Sequence, residues 1–128
     1  MSGRVVHFEI PYDDGDRARA FYERAFGWQL MHIPDMGYTL AMSGPSGEQG
    51  PTEPGFINGG MMQRQGPFTA PNLVIEVDNL EGALAAVADA GGSTVEERQA
   101  VGDMGFSAYF TDTEGNLIGL WETAPQSG

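Results

Sequence analysis

The feature that most constrains the fold of this 128-residue chain is that its pattern runs twice. Residues 4–12 alternate apolar and polar and are rich in β-formers, the signature of a strand. "DDGDRARAFYERAFGW" follows, with Ala18, Phe21, Tyr22, Ala25 and Phe26 at the spacing of one helical face. Asp13 or Asp14 is placed to cap its start, and Gly27 to end it in the left-handed region. "WQLMHI", "YTLAM" and "FINGGMMQ" then read as three strands, with a Gly/Pro/Ser-rich loop from Ser43 to Gly55 before the last. From residue 72 the order begins again. "NLVIEV" is a strand; Asp78 with Glu81 has the form of a capping box. Leu80, Ala83, Leu84, Val87 and Ala88 repeat the helical spacing, Gly91-Gly92 stops it, and "STVEERQ", "FSAYFT" and "NLIGLWE" supply three strands. "DMGYT" (35–39) answers "DMGFS" (103–107), Gly27 answers Gly91, and Ile57 answers Ile118, in order and at nearly constant offset. A duplicated βαβββ unit is the economical reading. It gives an α+β chain with module one at about residues 4–64 and module two at about 70–123 of a single 1–128 domain.

Composition removes whole classes of chemistry. There is no cysteine, so disulfides, thiolate metal sites and thiol nucleophiles are out. All six basic residues are arginines, which removes Schiff-base lysines and the lysine of a Walker-type phosphate loop. The net charge of −12 opposes binding to nucleic acid and favours cationic ligands. No apolar run reaches the ~18 residues that span a bilayer, and the N-terminus lacks the basic-then-apolar pattern of a signal peptide. The expectation is a cytoplasmic protein without a membrane partner.

"VVHFEI" places His7 in an alternating strand, with Glu9 two residues on and therefore on the same face. An imidazole and a carboxylate so placed form a pair suited to proton transfer, or part of a metal site. Glu76 lies in a similar run, "VIEV", and reads as a strand-end residue. Trp121, with Trp28 and Phe106, offers an aromatic wall for a flat or cationic ligand, against an equal expectation of core packing. Met61 and Met62 read as core filling, His32 as a surface histidine, and Gly115 or Asn116 as the positive-φ residue of the "DTEGN" turn. Arg64 and Arg98 are available for an anionic group and equally at home as surface charges.

Taken together, "HFEIPYDDGDRARAFYERAFGW", "LVIEVDNLEGALAAVADAGG" and "FTDTEGNLIGLWE" resemble the vicinal oxygen chelate superfamily of glyoxalase I, bleomycin-resistance proteins and extradiol dioxygenases, over roughly residues 4–123. The likeness is to its short glyoxalase-like members. It implies an open curved sheet wrapped around a cavity, a small-molecule ligand and a homodimer. It also implies a metal held by four positions, two from each module. In this sequence they fall on His7, Asn72, Asn58 and Gly119, of which only His7 is a strong ligand. Glu122 lies three residues past Gly119 and would need a bulge to join His7 as a ligand. A full four-ligand site is therefore not expected, and the cofactor stays open. The ligand-binding set that follows is Asn58, Asn72, Gly119 and Trp121, with His7 and Glu9 as the catalytic pair. The implied function is a glyoxalase-like enzyme of lyase, isomerase or dioxygenase type acting on a small carbonyl or oxygen-rich substrate. The alternative is a metal-free protein that sequesters a drug or metabolite, as bleomycin-resistance relatives do.

Overall fold

The structure is a computed structural model, and it describes residues 3–125. The chain forms β1 (Val5–Tyr12), α1 (Gly15–Phe26), β2 (Gln29–Ile33), β3 (Tyr38–Met42), β4 (Ser46–Gly47), β5 (Gly50–Pro51) and β6 (Asn58–Gln63). It continues with β7 (Asn72–Glu76), α2 (Leu80–Asp89), β8 (Ser93–Val101), β9 (Gly105–Thr111) and β10 (Leu117–Thr123). It is an α+β chain, as the repeated pattern predicts. Its contacts divide it into two units: one is His7–Pro71, the other the chain up to Val6 together with that from Asn72 on.

In the His7–Pro71 unit the sheet order is β2-β3-β6-β1, with β1 and β6 parallel and the other pairs antiparallel. The alternation predicted for β1 is realised: Phe8, Ile10 and Tyr12 turn toward the helix and meet Ala18, Tyr22, Trp28, Ala41 and Met61. Trp28 stacks on Tyr22 at 4.8 Å between ring centres, so this tryptophan belongs to the core. Asp14 caps α1 by accepting from Arg17 N–H, and Gly27 ends it at φ 72°, where a side chain would be strained. The predicted apolar stripe of α1 is only half covered. Ala18 and Tyr22 pack on the sheet, while Phe21 and Phe26 are 57% and 64% exposed. The Gly/Pro/Ser-rich loop from Ser43 to Gly55 contains the β4–β5 hairpin, closed by Thr52 donating to the Pro45 carbonyl from both its N–H and its hydroxyl.

The other unit repeats the arrangement as β7-β10-β9-β8, with β7 and β10 parallel. Gly3 and Arg4 exchange backbone hydrogen bonds with Glu76 along β7. Leu80, Ala108, Phe110 and Leu120 form its core, with Ala83, Leu84 and Val87 of α2 packed against them. The cap of α2 differs from the expectation by one residue. Asn79, not Asp78, accepts from the Gly82 N–H, so the Asp78–Glu81 box does not form. The free N–H of Leu80 is instead taken by Glu122 from β10 at 2.8 Å. Gly115 supplies the positive φ of the last turn, which Asp112 organises by accepting from the N–H groups of Glu114 and Asn116. Those bonds hold the Asp112 carboxyl below the usual carboxylate range.

Candidate functional site: a histidine, a tyrosine and a glutamate on one sheet face

Alternation sends His7 and Glu9 of β1 to the face of their sheet that α1 does not cover. The register fills out that face: β6 sets Asn58 beside His7 and Gly60 beside Glu9, and β3 sets Leu40 beside Gly60. Between the two β1 residues sits the phenol of Tyr38. Its Oη lies 2.8 Å from His7 Nε2 and donates to Glu9 Oε2 at 3.0 Å. Tyr38 enters this place because Gly60 has no side chain: a Cβ there would overlap the phenol's Oη, Cζ and Cε2. Glu9 is 5% exposed.

The hydrogen-bond directions follow from the donor inventory. Tyr38 has one proton, and it goes to Glu9; the Tyr38 oxygen then accepts, so His7 Nε2 carries a hydrogen and Nδ1 carries the lone pair. Burial lowers the His7 pKa from 6.5 to about 4, so at neutral pH the imidazole is uncharged. Alternation in the sequence sets His7 and Glu9 on one face but does not give the residue that joins them. Gly59-Gly60 inside a strand is the available signal, because glycines there permit a bulge or a close approach. The close approach is by Phe8 at Gly59 and by Tyr38 at Gly60.

The remaining candidates are placed as follows. Asn58 is spent on structure: its carbonyl accepts from Ser43 N–H and its amide donates to Ser46 Oγ. Asn72 is 5% exposed, and neither polar atom of its side chain has a hydrogen-bond partner. The register also changes its standing. If Asn58 answers Gly119, as the isoleucine pairing has it, the residue beside Gly119 is Val74 and not Asn72. Val74 is then the counterpart of His7, and Glu76 that of Glu9. Gly119 is buried, and a Cβ on it would meet Val74 and Tyr109 at 3.1 and 3.0 Å. The Trp121 ring lies over Gly105, and its Nε1–H donates to Thr123. The Glu122 carboxylate is divided between Leu80 N–H and Arg98, whose guanidinium also lies 3.6 Å from the Phe106 ring centre. Arg64 pairs with Asp13 and donates to the Thr69 carbonyl. His32, read as a surface histidine, is exposed and meets Thr39 Oγ1 and Arg19 on the helix side of β3.

These residues do not fit the metal that the family resemblance implies. Among the described residues, no group of three or more histidine, aspartate or glutamate side chains converges. His7 Nε2 is committed to Tyr38, the Asn58 carboxamide to two serines and the Glu122 carboxylate to a helix end and an arginine. A catalytic transition metal asks for three protein ligands. Nor is any helix of the described chain long and apolar enough to cross a membrane.

Comparison with known proteins agrees with this architecture. Residues 4–45 match the family described as Bleomycin resistance protein-like N-terminal. A glyoxylase-like domain-containing protein of Didymella fabae is 31% identical over 121 residues, covering 91% of each chain. CFP32 of Mycobacterium bovis, a proposed glyoxylase, is 29% identical over 120 residues; these are 89% of this chain but 43% of that protein, so this chain spans less than half its length. A variant of Streptomyces coelicolor methylmalonyl-CoA epimerase, solved with 2-nitronate-propionyl-CoA, superposes with a TM-score of 0.68 over 100% of this chain and 99% of that one. At 16% identity that likeness speaks to the fold alone. With the Didymella relative alike along nearly its whole length, the chain belongs to the glyoxalase-like proteins of the vicinal oxygen chelate superfamily.

Proposed function

We propose that this protein is a glyoxalase-like enzyme that moves a proton on a small carbonyl substrate, and that His7, Tyr38 and Glu9 carry the proton. The observation behind the reading is the unbroken chain of short contacts from His7 Nε2 through Tyr38 Oη to Glu9 Oε2. A substrate C–H next to a carbonyl breaks, and its proton goes to His7 Nδ1. The Nε2 hydrogen passes to the Tyr38 oxygen, and the Tyr38 hydrogen passes to the Glu9 carboxylate. The imidazole changes tautomer rather than charge, so the burial that opposes imidazolium does not oppose the relay. Return of the proton to another carbon or another face completes an isomerisation.

The test is exchange of substrate C–H hydrogen for solvent deuterium, followed by NMR on simple α-hydroxyketones. His7→Gln and Tyr38→Phe are each expected to slow exchange by about 10²–10⁴-fold. Exchange at the wild-type rate in both variants sinks the proposal. A second reading, sequestration of a drug-like molecule, draws on the bleomycin-resistance match over residues 4–45. It predicts tight binding with no exchange at all.

A further inference from the structure

The sheet face that carries His7 holds an apolar strip made largely of methionine. Alternation fixes its members. Ala41 and Met61 are buried on the side that α1 covers, and Leu30 packs with them. Their chain neighbours Leu40, Met42, Met62 and Met31 therefore turn to the other side, the one shared by His7 and the Tyr38 phenol. Of the two methionines expected to fill the core, Met61 does so and Met62 lines this face instead. The register sets the strip side by side: Met62 stands opposite Tyr38, and Leu40 lies between Gly60 on β6 and Met31 on β2. From β1, which bears His7, to β2 is three strand spacings, about 14 Å. Leu40, Met42 and Met62 are each only half-buried, and Met31 is 50% exposed.

We infer that the substrate of the His7 site carries an apolar arm, an aryl ring or an alkyl chain of several carbons, and that Met31, Leu40, Met42 and Met62 hold that arm. The inference rests on the reading of this face as the substrate site. A ligand site pairs a few polar groups that fix orientation with a larger apolar lining, and here the strip begins where the His7–Tyr38 contact ends. Methionine is unbranched and polarizable, so it reshapes around chains and makes favourable contacts with ring edges. A methylene that is completely buried is worth about fourfold in affinity; counting contact on one side of the arm only, each methylene laid on the strip is worth about twofold. A three-carbon ketone reaches none of this surface.

The experiment uses a ladder of α-hydroxyketones: hydroxyacetone, 1-hydroxy-2-pentanone and 1-hydroxy-2-octanone, with 2-hydroxyacetophenone as the aryl member. Each is titrated into the full chain labelled with carbon-13 at its methionine methyl groups and followed by NMR. Affinity is expected to climb along the ladder, with the octanone at least about tenfold tighter than hydroxyacetone. The aryl ketone is expected to shift the methyl signals of Met31, Met42 and Met62 more than that of Met61, which lies on the helix side. Leu40→Ala is expected to narrow the gap between octanone and hydroxyacetone at least about twofold. Should that variant fail to fold, Met31→Gln at its half-exposed position serves instead. Equal affinity along the ladder overturns the inference, as does a larger shift at Met61 or a gap that neither variant narrows. Methionine signals that follow protein concentration rather than ketone give the strip to a second copy of the chain and overturn it too. Binding that climbs the ladder without hydrogen exchange keeps the inference and removes the proton-transfer reading; exchange without the climb does the reverse. If no ketone binds or exchanges, both fall.

Discussion

The substitution Gly60→Ala isolates the construction of the site, because it adds a single methyl group where the Tyr38 phenol lies. The phenol has to retreat, and its hydrogen bonds of 2.8 and 3.0 Å to His7 and Glu9 stretch past the ~3.2 Å at which such bonds fail. Removing partners from part-buried groups, one of them a carboxylate, costs about 1–3 kcal/mol. Overpacking adds about 1–3 kcal/mol, less whatever the ring recovers by swinging aside. The expected loss is therefore about 3 kcal/mol, read by urea unfolding with tryptophan fluorescence. The same substitution in a Tyr38→Ala background meets no phenol. Gly60 does not use a positive φ, so alanine is tolerated there, and the cost should fall below about 1 kcal/mol. The coupling energy of the pair is then about 2 kcal/mol. A Gly60→Ala loss of equal size in both backgrounds would refute the claim that the glycine exists to seat the tyrosine.

The remaining predictions concern protons, caps and buried polar groups. His7 is expected to titrate near pH 4 by NMR. Between pH 6.5 and about 4 the unfolded chain binds a proton that the native one does not, so stability rises with pH there. Acidification through that window should remove up to roughly 3 kcal/mol, and His7→Gln should flatten the slope. Glu122→Ala leaves the Leu80 N–H without its acceptor and frees Arg98; thermal unfolding should show a loss of about 1 kcal/mol. Asn72→Leu replaces a buried, unpartnered amide with an apolar side chain of similar size, so unchanged or higher stability in chemical unfolding is expected. A loss above about 2 kcal/mol would show that the amide has a partner in solution, such as an internal water.

What the sequence made legible follows from local rules. Alternation in "VVHFEIPY" put His7 and Glu9 on one face and Phe8, Ile10 and Tyr12 on the other, and the contacts agree. Asp14 and Gly27 were readable because capping is decided within a turn. What was not legible depends on partners distant in sequence. Tyr38 joins the site only through the β3–β6 register, which no local pattern states. The strand pairing is equally non-local: it sets Asn58 beside His7 and Val74 beside Gly119, so if Asn58 answers Gly119 the counterpart of His7 is Val74, which no local pattern states. Asn79 displaced Asp78 as the cap because both residue types cap well and adjacent candidates cannot be separated by composition. The exposed Phe21 and Phe26 match helical spacing perfectly well; spacing identifies an apolar stripe but not the width of the sheet available to cover it.

Tyr38 is followed in β3 by Thr39, which is fully buried and grasped from the helix side by Arg19 and by contact with His32. Neighbouring residues of a pleated strand share a peptide plane while looking in opposite directions. The backbone that aims the phenol is thus clamped by groups on the opposite, helix-covered face. Substitutions at Arg19 or His32, on the helix-covered side, would therefore be felt at the His7 face as a change in the phenol's aim, with no residue of that face altered.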